Sequence, residues 1–242
     1  MTRRPRRGTL PVLPAALALL LTVVLSGCSL LEGDADPGAE PSTTPTAEVT
    51  EEPYDSQFTR DGTFQSHIDV NGVDFVYTLY PTKSTPRTNE WYPRGNKFFT
   101  VTFQAYDLDR ALRDPFRTKR LVYLDHIQAT SVTKTSDGRG NQRPYSLDAE
   151  ARRVTFDPEP LSTKYGMLIT SPKGSLELRN QRIKPMSLDT RGVDLSFTAT
   201  VWIQESPGSK RFYKRQIRQT VPIAIFESDE PTVVASIPIN AN

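Results

Sequence analysis

FQSHIDVNGVDFVYTL, residues 64 to 79, alternates apolar and polar side chains on both sides of Asn71-Gly72. Alternation with period two places one set of side chains on a buried face and the other in solvent, as a half-buried strand requires. Asn and Gly accept the positive φ of a two-residue hairpin turn. The stretch therefore reads as a β-hairpin, with Phe64, Ser66, Ile68 and Val70 on one arm and Val73, Phe75, Tyr77 and Leu79 on the other.

The same pattern extends outward. Strands are predicted over 97–106, 121–133, 152–156, 167–171 and 175–183. A second hairpin pairs Val193, Leu195, Phe197, Ala199, Val201 and Ile203 with Tyr213, Ile217, Val221, Ile223 and Ile225, across a turn at Pro207-Gly208. Pro222 inside the returning arm implies an edge strand or a bulge, because proline has no amide hydrogen for a ladder. Residues 107–114 suit one or two helical turns ended by Pro115, and Val233, Ala235, Ile237 and Ile239 suit a last strand. Eight to ten short strands in residues 58–242 indicate an all-β fold, an antiparallel β-sandwich of immunoglobulin-like or jelly-roll type. A segment of this size buries a core of its own.

Upstream the character changes. Arg3, Arg4, Arg6 and Arg7 precede an apolar run from Leu10 to Leu25 that is shorter than the ~20 residues a spanning helix needs. Charge followed by a short apolar run is the pattern of a signal peptide, over 1–27. Its end, Leu25-Ser26-Gly27-Cys28, resembles the lipobox of bacterial lipoprotein precursors: a leucine, two small residues and a cysteine. The likeness covers residues 1–29. It implies that the Cys28 thiol receives diacylglycerol, that the preceding peptide is removed, and that the mature chain is lipid-anchored on the extracytoplasmic face of the cell membrane. Both the general secretory route and a twin-arginine route, for which Arg6-Arg7 is the only sign, stay open. Cys28 is the one cysteine of the chain, so no internal disulfide can form.

Residues 28–57 are rich in Gly, Pro, Ser and Thr and carry Glu32, Asp34, Asp36, Glu40, Glu48, Glu51, Glu52 and Asp55 with no Lys or Arg. Such a segment buries too little apolar area to offset its ordering entropy and reads as a disordered linker. As a flexible coil it spans about 30 Å and at full stretch about 95 Å. The whole chain has a formal charge of +2; setting aside the four leading arginines and then the eight linker acids leaves +6 on the remainder. An acidic stalk thus carries a basic head.

Signs of catalysis are sparse. The chain has two histidines, too few for a three-histidine zinc site, and neither HExxH nor G-x-S-x-G occurs. His67 and Asp69 share the polar face of one strand and could share a ligand or a proton; His126 in its apolar strand reads as structural. Ser131-Val132-Thr133-Lys134 matches S-x-x-K but sits on a strand rather than at a helix start, and reads as chance. Asp107, Asp109, Asp114 and Asp125 are the densest acids and suit a carboxylate pair across a sugar or a calcium ion only weakly, for want of a D-x-D-x-D-G spacing. The reading is a non-catalytic module with no cofactor and no metal; a carboxylate-dependent hydrolase acting on an envelope glycan is the alternative.

Binding features are clearer. Arg110, Arg113, Arg117, Lys119 and Arg120 form one basic stretch; Lys210, Arg211, Lys214, Arg215 and Arg218 form another, interleaved with Phe212 and Tyr213. Cationic groups among aromatics suit phosphate and base contacts, but an exported protein meets polyanionic glycans, not nucleic acid. The same cations also keep an edge strand from pairing with other sheets. Trp91-Tyr92 lies in a loop and either stacks on a sugar or a protein partner or caps the end of the sandwich. The candidate contact residues are Trp91, Tyr92, Lys210, Arg211, Phe212, Lys214 and Arg215, with the membrane, an envelope protein or an anionic glycan as partners.

Overall fold

The computed structural model describes residues 54–83 and 85–227. The signal peptide, Cys28, the linker up to residue 53 and the expected strand over 233–239 lie outside the described residues.

The opening hairpin forms as its alternation requires. β1 (Phe64–Val70) and β2 (Val73–Pro81) pair antiparallel with Val70 opposite Val73. Asn71 and Gly72 take φ of 54° and 77° at the turn. The further strands are β3 (Lys97–Asp107), β4 (Val122–Thr135), β5 (Ser146–Glu150), β6 (Ser162–Thr163), β7 (Gly166–Leu168), β8 (Leu176–Ile183), β9 (Thr190–Gln204) and β10 (Phe212–Ala224). They make two sheets, β1-β2-β3-β8 and β10-β9-β4-β7-β6, with β5 beside β4. The sheets face each other as an antiparallel β-sandwich.

Inward positions supply one continuous core. Phe75, Tyr77, Leu79, Phe99, Val101 and Phe103 from the first sheet meet Leu195, Phe197, Ala199, Val201 and Ile203 from the second, all at most 2% exposed. The Tyr77 ring lies 4.2 Å from Phe103 and 5.8 Å from Phe197, so it joins the layers. Burial raises its phenol pKa well above the ordinary value. Pro222 lies on β10, an edge strand, as its missing amide requires.

β4 contains a bulge at Asp125: Leu124 pairs with Val201 but His126 with Thr200. The inward buried residues before it are Val122 and Leu124, and those after it Ile127, Ala129, Ser131 and Thr133, while Tyr123 is buried on the outward face beneath Tyr165 and Phe212. One extra residue changes the parity, so both halves of the strand turn apolar or hydrogen-bonded side chains inward.

Three expectations are corrected. The strand over 152–156 is absent; Ser146–Glu150 fills the place beside β4, and a helical turn α2 (Ala151–Val154) follows, with Ala151 buried. The segment touches the edge of β8 only at Glu177, whose carbonyl accepts Phe156 N–H (2.8 Å) and whose N–H donates to Thr155 Oγ1 (3.3 Å). Residues 107–114 form separate turns, closed by Arg110 N–H to Asp107 O and Asp114 N–H to Ala111 O, and the short 3-10 turn, Phe116–Thr118, comes after Pro115. The head also begins before residue 58. Ser56 caps the helical turn α1 (Gln57–Asp61), whose Phe58 is fully buried, and Tyr54 hydroxyl donates to Asp194. All described residues fall within one compact unit.

The register sorts the loops into two poles. Lys97 opposite Ile183 and Gly192 opposite Ala224 mark one; Val73 opposite Asp107 and Ile203 opposite Tyr213 mark the other. Tyr54 and residue 227 both sit at the first, the terminal pole, where Tyr54 meets Asp194 and Phe226 N–H meets Trp91 O (3.0 Å). Loop 108–121 and turn 205–211 sit at the far pole. Fifteen-residue β9 separates them by about 45 Å, at roughly 3.3 Å per residue.

Candidate functional site

The candidate contact residues divide between the two poles. Trp91 is at the terminal pole and fully buried: its ring lies 5.2 Å from Phe58 and its indole N–H donates to Thr85 O at 3.1 Å. It caps the sandwich and offers no surface for stacking, which corrects its reading as a contact residue. Tyr92, partly exposed, gives its carbonyl to Lys97.

Lys97 itself is fully buried. Its ammonium donates to Tyr92 O (2.6 Å), Pro93 O (3.0 Å) and Gly95 O (2.7 Å), which ties loop 92–95 to β3. Burial, with the charge of Arg182 second, pulls its pKa down to about 8.

At the far pole the second basic stretch joins residues from three other elements. On the outward face of the larger sheet, Tyr123 pairs with Trp202, and Trp202 with Lys214. Phe212 stands at the start of β10, and Tyr165 arrives from the tight β6–β7 turn. The rings form one cluster: Tyr165 to Phe212 is 4.5 Å, Tyr165 to Trp202 5.3 Å and Tyr123 to Phe212 5.8 Å. Trp202, Tyr165 and Phe212 remain partly exposed. Lys214 ammonium lies 5.3 Å from the Trp202 ring and Lys164 ammonium 5.1 Å from the Tyr165 ring, both within cation–π range. Lys214 also stands 3.5 Å from Asp125, which the bulge turns outward.

Arg211 pairs with Glu205 at 2.7 Å, and Lys210 has no ion pair among the described residues. Gln204 fixes the turn beneath them, donating to Ser209 O at 2.6 Å and accepting Leu121 N–H at 3.0 Å. Arg215 lies over Tyr213 at 4.9 Å on the opposite side of β10 from Lys214. Thus Phe212 and Lys214 share the outward flank, Lys210 and Arg211 stand in the turn beside it, and Arg215 faces away from it.

The flank gathers aromatic faces and cations and lacks a nucleophile–base pair. Both histidines lie elsewhere. His67 Nδ1 meets Asp74 Oδ2 (2.7 Å) across the hairpin, while Asp69 accepts Gly72 N–H (2.8 Å), so His67 and Asp69 do not act together. His126 is partly exposed and paired with Asp148. Ser131 is buried and bonded to the Tyr145 backbone. Among the described residues no group of three or more His, Cys, Asp or Glu could hold a metal ion.

The first basic stretch splits. Arg110, Arg113 and Arg117 are exposed, but Lys119 and Arg120 are buried. Arg120 donates to Asp107 Oδ1 (2.6 and 3.0 Å), Asn71 O (2.8 Å), Gly72 O (2.7 Å) and Asp109 Oδ2 (2.9 Å). Burial alone raises the Asp107 pKa, but hydrogen bonds and charge from Arg120 outweigh it and hold the carboxyl below its ordinary value. Asp107 and Asp109 are therefore structural partners of an arginine, not a carboxylate pair across a sugar.

Sequence reading missed Tyr123, Tyr165 and Trp202. The signal for Trp202 was present: it occupies the outward parity between Val201 and Ile203, where a solvated strand carries polar residues. Tyr165 gave no such signal, because its turn belongs to two strands too short to alternate.

No protein-family model matches this chain, and no curated protein matches it. Among solved structures there is a distant likeness to the copper-reconstituted P19 protein from Campylobacter jejuni, at 10% identity and a TM-score of 0.27, over 70% of this chain and 99% of that one. A likeness so distant carries nothing about function.

Proposed function

We propose that the chain is an exported envelope lipoprotein, anchored at Cys28 to the extracytoplasmic face of the cell membrane, whose sandwich is a non-catalytic module for an anionic glycan. The carrying observation is the far-pole flank of partly exposed Tyr165, Trp202 and Phe212, packed against the buried Tyr123 and bordered by Lys164, Lys210, Arg211 and Lys214. Aromatic faces suit the apolar side of a sugar ring, and ammonium groups beside them suit its carboxylate or phosphate. The lipobox-like Leu25-Ser26-Gly27-Cys28 supports the anchor. Both termini of the described residues lie at the opposite pole, so a tether entering there leaves the flank uncovered.

The test is co-sedimentation of the soluble chain from residue 29 with a phosphodiester-linked wall polymer, a uronate polysaccharide and a neutral glucan. Retention on the anionic polymers that falls at least tenfold in Trp202→Ala and in the double substitution Lys164→Ala/Lys214→Ala is expected. Equal retention of wild type and variants would end the glycan reading. The anchor is tested separately: Cys28→Ala should release the head from the membrane fraction.

A further inference from the structure

The far pole carries a second exposed feature, apart from the aromatic flank. Leu108 and Leu112 are 54% and 62% exposed, two large apolar side chains four residues apart on one loop. Arg110, Arg113 and Arg117 surround them, all exposed. The loop's two acids are both engaged within the structure: Asp109 pairs with Arg120, and Asp114 Oδ2 accepts Ala111 N–H at 3.0 Å. The tip therefore shows the outside three guanidinium groups and two isobutyl groups, with the Asp109 carboxylate still largely exposed beside them.

The loop is held in this form by two buried cations. Lys119 ammonium donates to Ala111 O at 2.5 Å, directly beside Leu112. Arg120 clamps Asp107 and Asp109 at the loop's start and the Asn71-Gly72 turn alongside, and Leu108 N–H closes on Gly72 O at 2.8 Å. Burying charge is unfavourable unless every donor finds an acceptor. Here those donors fix a backbone whose leucines face water. A collapsed loop would cover its leucines, and this one is built to show them.

We propose that the 108–117 loop docks on an anionic phospholipid surface, leucines entering the headgroup–acyl boundary and arginines pairing with lipid phosphates. Guanidinium groups fit phosphate oxygens bidentately, and their weaker hydration suits a partly dehydrated interface. Apolar side chains ringed by cations are the composition of peripheral membrane contacts. Charge complementarity decides the occupant: over residues 108–117 three exposed arginines outnumber two acids, one of which is paired with Arg120, so an excess of positive charge meets the anionic surface. Each arginine near such a surface is worth about fivefold in partition. The contact alone is weak and reversible, and a tether would strengthen it by raising the local concentration. The inference stands independently of the glycan reading, since it uses different residues.

The chain from residue 29, which contains every described element and the whole core, is mixed with sedimentable vesicles of phosphatidylcholine alone or with phosphatidylglycerol at about one part in three. Binding to the anionic vesicles that weakens with salt is expected. Leu108→Ser/Leu112→Ser should lower the partition coefficient at least tenfold, and Arg110→Gln/Arg113→Gln/Arg117→Gln should abolish the preference for phosphatidylglycerol. Both sets lie on exposed positions and should leave the thermal midpoint unchanged, which separates lost docking from lost folding. Trp202→Ala should bind vesicles like wild type. The proposal is overturned if wild type ignores phosphatidylglycerol vesicles, if the leucine variant binds them equally well, or if a photo-crosslinker at position 112 in intact cells labels a protein and no lipid.

Discussion

The two poles of the sandwich solve the problem of ending a sheet in different ways. The terminal pole is closed with apolar mass and a carbonyl cage: Trp91 and Phe58 seal the gap between sheets, and Lys97 satisfies three loop carbonyls from below. The far pole is closed with buried ion pairs, Arg120 holding Asp107 and two turns, while apolar and cationic side chains remain outside. The difference lies in which side chains each closure uses: the terminal pole turns its largest aromatics inward, whereas the far pole is fixed through backbone acceptors and keeps aromatic and cationic side chains at its surface.

Removing the seal should have the largest effect. Trp91→Ala is expected to destabilise the head by about 4 kcal/mol, since a fully buried indole leaves both a cavity and an unpaired Thr85 carbonyl. Urea denaturation measures it, and insensitivity to pH between 3 and 7 would distinguish it from the far pole. Arg120→Ala should cost about 3–4 kcal/mol at neutral pH, because Asp107 is then buried without its partner. Arg120→Lys should recover only part, as an ammonium cannot reach the same spread of acceptors. Asp107 has a lowered pKa, so its contribution is present above the unfolded carboxylate value near 4 and is lost as pH falls through the lower folded value. The gap between wild type and Arg120→Ala should therefore narrow in acid. A gap that stayed constant down to pH 2 would mean that the clamp does not act through charge.

The terminal pole should respond at the opposite end of the scale. Lys97 has a folded pKa of about 8 against an unfolded value near 10.4, so between these the unfolded chain binds more protons and stability rises with pH. Wild type should gain about 2 kcal/mol relative to Lys97→Met from pH 8 to 10, at roughly 1.4 kcal/mol per unit. The buried phenols of Tyr77 and Tyr145, both raised by desolvation, act in the other direction above about pH 10 and should be common to both proteins. The smallest effect belongs to the flank: Lys214→Ala should alter stability by less than about 0.5 kcal/mol, its consequence appearing only in glycan retention. A larger loss of stability would make Lys214 part of the far pole's closure instead of its surface.

Much of the fold was legible. Alternation placed both long hairpins, and Pro222 announced an edge, because these signals act within one strand and its neighbour. Residues 152–156 misled, since the β-forming Val154-Thr155-Phe156 does not say whether a neighbouring strand has a vacant side; Ser146–Glu150 had already taken it. For Trp91 the sequence left a stacking surface and a cap both open, and the structure shows the cap. A loop aromatic's exposure is not decided until the sheets it lies between are known. Of the flank, the cations and Phe212 stood together in sequence, whereas Tyr123 and Tyr165 reach it from 89 and 47 residues before Phe212, through pairings that no local pattern encodes. Arg120 looked like surface charge because its partners at Asn71 and Gly72 belong to another turn.

The bulge at Asp125 makes β4 two half-strands written in opposite phase. Were Asp125 to pair regularly in place of bulging, everything beyond it would fall out of frame, turning His126 and Gln128 toward the core and Ile127 and Ala129 toward water. Deleting Asp125 leaves Leu124 inward, His126 outward and Ile127 inward, so the frame survives its loss and what disappears with it is the outward carboxylate beside Lys214.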